Sequence, residues 1–280
     1  MCPQLFEIGP FTVYSYGLML GIGFIVASYL LSIEFKRKKI HTDLATEITL
    51  LALIFGIIGA KMFHLFETWD TFIQDPIGEA FSAGGLTWYG GFILAVIAIW
   101  INSRRRNLPF FVIADSVSPA LAIGYGIGRM GCHLAGDGDY GIPTTLPWGT
   151  DYSAGTYPPS LALKYLYPDG NVPEGILCHP TPVYEFILAV IIFLILWKIR
   201  KKNFPDGNLF MYFLILHGLS RFAVEFIRIN PQLLFGLSEA QIISVILILI
   251  GITGIIFYKK KSDLKRFDPT TVKYTPKPKK

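Results

Sequence analysis

The sequence predicts an all-α polytopic membrane protein with seven transmembrane helices, its N-terminus outside and its C-terminus cytoplasmic. Three observations lead there. The 280 residues are 52% hydrophobic and only 16% charged, where soluble domains carry about 25% charged residues. Seven apolar runs approach the roughly 17–25 residues that cross a hydrocarbon core. Basic residues gather on one side of these runs and avoid the other, as cytoplasmic loops do.

The first run, 13–33, opens with Tyr14-Ser15-Tyr16-Gly17 and ends at Lys36-Arg37-Lys38-Lys39. The second, 44–66, leads into a loop, 67–85, that holds Glu67, Asp70, Asp75 and Glu79 but no Lys or Arg. The third, 86–101, is short at its core, can begin near Phe81, and stops at Arg104-Arg105-Arg106. The fourth, 110–128, feeds an outer head loop, 129–181. The fifth, 182–199, ends among Lys198, Arg200, Lys201 and Lys202, and the sixth is 208–228. The seventh, 238–258, closes a membrane domain of residues 1–258. A Lys/Pro-rich tail, 259–280, is expected to stay disordered close to anionic head groups. An even number of helices would destroy this alternation of charge.

Other classes fit less well. The net charge of +5 does not indicate nucleic acid, because the basic residues form short clusters between apolar runs. Cys2, Cys132 and Cys178 are too few for a disulfide framework and have no zinc-site spacing. His64 and Glu67 lie at i, i+3 but have no second such pair, so no metal is expected, nor any organic cofactor. Residues 1–12 lack the positive leader of a cleavable signal peptide.

Lys61, Arg129, Lys164, Arg221 and Arg228 break the positive-inside pattern. Lys164 reads as solvated in the head, and Lys61 as snorkelling. Arg129 stands in Gly124–Gly141, where seven glycines accompany one arginine and two aspartates. Glycine lets backbone approach closely, and arginine grips phosphate with a planar fork of donors. A phosphate-bearing ligand and a snorkelling arginine are both open readings of this stretch.

His217, Arg221, Glu225 and Arg228 are spaced four, four and three, on one helix face. Ionisable groups inside a membrane helix face an interior and a partner. Two arginines against one glutamate suggest surplus positive charge and an anionic ligand; a structural ion pair is the alternative. Tyr14, Tyr16, His64, Glu67, Trp88, Tyr89, His179, Tyr184 and Glu185 fall at the same outer level. The inner half holds almost no ionisable group within its helices, Asp115 excepted. This favours one-sided lipid chemistry over a small-anion transporter.

The ordered motifs resemble the prolipoprotein diacylglyceryl transferase family. They are Tyr14-Ser-Tyr16-Gly17-Leu18-Met19, Tyr89-Gly90-Gly91, Gly128-Arg129-Met-Gly131-Cys132, Gly136-Asp137, Pro143-Thr144 with Leu146-Pro147-Trp148, His179-Pro-Thr-Pro-Val-Tyr184-Glu185, and Arg221-Phe222 through Glu225-Phe-Ile-Arg228. The resemblance implies a seven-helix enzyme of the bacterial inner membrane, with its active site facing the outer leaflet. It would move the diacylglyceryl group of phosphatidylglycerol to the lipobox cysteine of a preprolipoprotein signal peptide, releasing glycerol phosphate.

By the same resemblance, Arg129 binds the lipid phosphate, with Tyr16, Gly131, Cys132, Asp137 and His179 at the substrate. Arg221 neutralises charge on the leaving group, Glu225 orients it, and Tyr89 takes the place of a candidate base. Two positions depart from the family: Tyr89 replaces a histidine and Cys132 an asparagine. They keep a related phospholipid-dependent transferase with another acceptor in view. Cys132-His133 also admits a thiol nucleophile or a small buried cysteine, and a Cys132–Cys178 disulfide is a further possibility.

Overall fold

The computed structural model describes residues 1–9, 11–82, 87–167, 169–260 and 267–274. The chain is mostly helical. A hairpin of β1 (Gln4–Ile8) and β2 (Phe11–Tyr14) precedes α1 (Ser15–Arg37) and α2 (Asp43–Glu67). Two short helices follow, α3 (Trp69–Gln74) and α4 (Pro76–Phe81), then α5 (Trp88–Arg106) and α6 (Phe110–Ala135). The segment after α6 contains β3 (Thr150–Asp151), α7 (Pro159–Ala162) and β4 (Leu177–Cys178). The chain then runs through α8 (Thr181–Ile199), α9 (Asn208–Glu225), the hairpin β5 (Gln232–Leu234) and β6 (Leu237–Ser238), and α10 (Glu239–Lys260).

Among the described residues, five helices are long and apolar enough to cross a membrane: Ser15–Arg37, Asp43–Glu67, Phe110–Ala135, Thr181–Ile199 and Glu239–Phe257. The two other expected spans correspond to α5 and α9, of 19 and 18 residues, which carry Arg104–Arg106 and the Arg221/Glu225 pair. Large apolar side chains project outward from these helices; Ile25 is 71% exposed and Leu194 56%. A soluble surface does not present such continuous apolar faces, whereas lipid accepts them.

Several boundaries differ from the sequence expectation. The loop after α2 folds into α3 and α4; α4 starts where Asp75 accepts the Gly78 N–H at 2.9 Å ahead of Pro76, an N-cap followed by proline in the first turn. Helix α6 continues to Ala135, so Arg129 lies inside a helix and not at the start of the head loop. Helix α9 stops at Glu225, which leaves Arg228 on the segment beyond it. Lys61 does not simply snorkel: its Nζ donates to Ser82 Oγ at 2.8 Å and Ser82 O at 3.1 Å.

The described residues form two compact units. The first comprises the described parts of Met1–Ala27 and Val117–Lys265, the second those of Ser28–Ser116 and Arg266–Lys280. In the first, α6, α8 and α9 share a core of Ala122, Ile192, Leu196, Leu209, Met211, Phe213 and Leu214. The head segment has its own core of Tyr140, Tyr152, Ala162, Leu163 and Cys178. All three cysteines are free.

In the second unit α2 packs on α5. Glu47 accepts from Arg106 at 2.8 and 2.9 Å and from Asn102 at 2.6 Å. Of the tail, 259–260 continue α10 and 267–274 are described: Tyr274 stacks on His41 with ring centres 3.9 Å apart, and its hydroxyl donates to Asp43 at 2.6 Å. The rest of the segment expected to be disordered lies outside the described residues.

Small residues let α2 and α5 approach, as in membrane helix pairs generally. A Cβ on Gly90 would stand 2.4 Å from the Gly59 carbonyl oxygen and from Phe63 Cγ, whereas one on Gly56 would meet nothing within 4 Å. Gly90→Ala is therefore expected to cost about 1–3 kcal/mol by overpacking, and Gly56→Ala far less. Denaturant unfolding in detergent checks the difference; equal losses would mean that the two helices do not depend on this contact.

Candidate active site

Three arginines converge on one buried carboxylate in the first unit. Glu185, in the first turns of α8, is 1% exposed. Its Oε1 accepts from Arg221 at 2.5 Å and from the Tyr125 hydroxyl at 2.8 Å. Its Oε2 pairs with Arg129 Nε at 3.1 Å and with Arg228 at 3.5 Å. Burying an unpaired carboxylate is costly, so a site of this kind persists only when its partners are in place.

Each partner is positioned by its own element. Tyr125 and Arg129 are one turn apart on α6, and the Arg129 guanidinium lies over the Tyr125 ring at 4.9 Å. Helix α6 reaches α8 because Gly126 has no side chain: a Cβ there would sit 2.8 Å from Ala189 Cβ. Arg221 and Glu225 form the i, i+4 pair read from sequence, at 3.0 Å. Glu225 is held in turn by Asn230 at 2.6 Å and Ser238 at 2.8 Å.

Arg228 is fixed by backbone. The segment after α9 meets the head at a Gly141–Arg228 bridge, with Ile142 N–H donating to Ile227 O at 2.9 Å. The other flank of that head segment is pinned by Gly141 N–H to His179 O at 2.9 Å.

Asp139 completes the network. One of its oxygens pairs with Arg129 and the other with Arg228. Burial raises its pKa, but the Arg129 and Arg228 guanidinium groups outweigh burial and hold it well below the usual carboxylate range. Such a depressed group contributes stability above its unfolded value of about 3.9. That contribution is lost only as pH falls through the lower folded value, so the pairing stands throughout neutral and mildly acid conditions. Asp137 behaves oppositely: burial, then the neighbouring Asp139, push its carboxyl up.

Arg129, Arg221 and Arg228 thus stand against Asp139, Glu185 and Glu225. The surplus positive charge expected from two arginines and one glutamate is absent from this cluster, because Glu185 and Asp139 reach it from distant parts of the chain.

The other sequence candidates distribute as follows. Gly131 lets the first turns of α1 approach α6: a Cβ there would lie 3.1 Å from Met19 Cβ and 3.3 Å from Tyr16. Tyr16 is 42% exposed at that junction. Cys132 is buried, its sulfur 4.0 Å from Arg129, and its ligand atom lies within 4.8 Å of those of Asp137 and Asp139. That trio has metal-type donors, but both Asp139 oxygens already sit on arginines, whose charge opposes a cation.

His133 Nδ1 is 2.8 Å from the Tyr152 hydroxyl. His179 joins a chain in which Trp148 donates to the Tyr184 hydroxyl at 2.7 Å and that hydroxyl meets His179 at 3.2 Å. His217 packs on Phe213 and edge-on to Tyr125. Tyr89 belongs to the second unit, 42% exposed at the start of α5 and edge-on to Trp88.

Sequence reasoning placed Arg129, Arg221 and Glu225 and missed the reach of Tyr125, Asp139 and Glu185. Tyr125 stands four residues before Arg129, the helical spacing that would have shown it had α6 been drawn to its full length.

The fold is that of a helical protein with candidate membrane spans and a buried cluster of arginines and carboxylates. The family model described as prolipoprotein diacylglyceryl transferase matches residues 3–257, and the chain belongs to this family. Three relatives called phosphatidylglycerol–prolipoprotein diacylglyceryl transferase agree. The chain is 33% identical to one from Dehalococcoides mccartyi, over 92% of this chain and 94% of that protein. It is 30% identical to one from Leptospira interrogans, over 90% of each, and 32% identical to one from Clostridium tetani, over 90% and 96%.

Removing one member of a buried ion network leaves the others uncompensated, at about 3–5 kcal/mol. Glu185→Ala is expected to lose that much unfolding free energy in detergent, and Tyr125→Phe, which deletes one hydrogen bond, about 1 kcal/mol. Equal small losses would mean that Glu185 does not hold the cluster together.

Proposed function

We infer that this chain transfers the diacylglyceryl group of phosphatidylglycerol to the lipobox cysteine thiol of preprolipoproteins and releases glycerol phosphate. The family membership supports the reaction. The observation that carries its assignment to particular residues is the convergence of Arg129, Arg221 and Arg228 on Glu185. The thiolate sulfur attacks the glyceryl carbon that bears the phosphate ester. The C–S bond forms as the C–O bond breaks, and the electron pair leaves on the phosphate oxygen. In the overall balance the thiol proton ends on solvent or on glycerol phosphate, whose second ionisation lies near about 6.

The expensive part of this reaction is the charge that grows on the leaving group. Donors fixed before the reaction stabilise such charge without reorganising. Arg129 takes the phosphodiester, Arg221 meets the leaving oxygen, and Glu225 at 3.0 Å sets the Arg221 fork. Tyr16, Gly131, Cys132, Asp137 and His179 are assigned to the substrate, the first four around the outer end of α6 and the last at the start of α8. Tyr89 is assigned the thiol proton in place of the family's histidine. Its ordinary pKa near about 10 makes it a weak base, which keeps a related transferase with another acceptor as the second reading.

We propose seven spans with the N-terminus outside, and with them chemistry at the outer leaflet of the bacterial cytoplasmic membrane, where a lipobox peptide emerges. The alternation of basic and acidic loops supports that orientation. Membrane domain 1–258 and tail 259–280 remain the proposed division, with the tail on the cytoplasmic face.

The test uses membranes bearing the protein, phosphatidylglycerol and a lipobox peptide. Thioether-linked diacylglyceryl on the peptide is expected, and Arg221→Ala should lower turnover by about two to three orders of magnitude, as loss of one transition-state donor does, with membrane insertion intact. Phosphatidylglycerol consumption without peptide modification would move the assignment to the other acceptor. Near-normal turnover of the variant would remove Arg221 from the reaction.

A further inference from the structure

Asp139 is the most exposed of the three acids that hold the arginines. Its two oxygens go to two arginines from different elements, Arg129 on α6 and Arg228 beyond α9. This is the donor pattern that suits the two non-bridging oxygens of a phosphodiester. Its side chain is 27% exposed, whereas Glu185 and Glu225 are each 1% exposed. Of the three carboxylates it is the one that an arriving ligand can reach.

Its backbone is anchored independently of its carboxylate. The Asp139 carbonyl accepts the Thr181 hydroxyl at 2.5 Å. Gly136 and Gly138, at φ +59° and +92°, set the turn before it, a conformation that glycine adopts without strain. Rotation of the side chain alone therefore frees Arg129 Nη1 and Arg228 Nη2 without moving the chain, while both guanidinium groups stay on Glu185.

Charge points the same way. With Asp139 in place, the three arginines face three carboxylates. With it withdrawn, the cluster carries one unit of excess positive charge, the complement of a phosphodiester's single negative charge.

We propose that Asp139 is a built-in stand-in for the lipid phosphate: it holds Arg129 and Arg228 in the lipid-free enzyme, yields them to the phosphodiester, and returns to displace glycerol phosphate. This rests on the function proposed above and assigns a positioning residue to it. The exchange keeps the buried arginines compensated at each stage, which avoids the cost of a lone buried charge.

Two measurements on the full-length protein test it. The first is inhibition by glycerol phosphate, in wild type, Asp139→Asn and Asp139→Glu, beside phosphatidylglycerol turnover. Asp139→Asn is expected to bind glycerol phosphate about tenfold more tightly and to turn over more slowly, with Asp139→Glu close to wild type. A damaged scaffold would lose affinity and could not gain it. The second is carboxyl footprinting of wild type with a water-soluble carbodiimide and an amine, read by mass spectrometry. It stays decisive if Asp139→Asn fails to fold. Saturating glycerol phosphate should increase modification of Asp139 severalfold.

Unchanged or weaker binding by a folded Asp139→Asn, or unchanged footprinting at Asp139, would overturn the proposal while leaving the transferase assignment standing. Wild type that neither consumes phosphatidylglycerol nor binds glycerol phosphate would overturn both.

Discussion

The buried carboxylate of Glu185 is the interaction on which the rest of the site depends. It touches Arg129, Arg221, Arg228 and Tyr125 at once. These groups come from α6, from α9 and from the segment beyond α9, so a single side chain sets three elements in register. Each arginine alone would be pulled toward water by its hydration. Held together on one anion, they stay beneath the head segment with their remaining donors directed by Asp139 and Glu225.

On the proposed function, this arrangement separates two demands that often conflict. A phosphate site must be positive enough to bind its ligand, yet a lipid-embedded bundle cannot tolerate uncompensated charge. Internal carboxylates keep the resting cluster balanced and the arginines oriented. The head segment contributes by backbone pairing, where Gly141 lies between His179 and Arg228. Its own core of tyrosines and Cys178 is independent of the helices' apolar faces, and burial pushes the Cys178 thiol up to about 11, which keeps it protonated and inert at neutral pH.

Much of this was legible in the sequence, for physical reasons that differ between elements. The apolar runs report helices directly because lipid demands length and hydropathy together. The Arg221–Glu225 pair was legible because helical spacing is local. The end of α6 was not: glycine costs about 1 kcal/mol of helix propensity, so the glycine-rich stretch argues for a helix that stops at 128 until the neighbours that need the space at Gly131, Tyr16 and Met19, are placed. Asp139 and Glu185 were hidden for another reason. Asp139 meets Arg228 across 89 residues and Arg129 across a ten-residue turn, and Glu185 meets Arg221 across 36; no helical or strand periodicity encodes such pairings. The expectation of surplus charge failed on that ground, since it counted only the groups along one helix.

The central claim is that Glu185 presets these arginines for a lipid phosphate. A structure of the protein bound to a non-transferable phosphatidylglycerol analogue tests it most directly. The account predicts the phosphate oxygens within about 3 Å of Arg129 and a second arginine of the cluster, with the Glu185 contacts retained. A phosphate bound away from Arg129, Arg221 and Arg228, with those arginines still closed on their carboxylates, would contradict it.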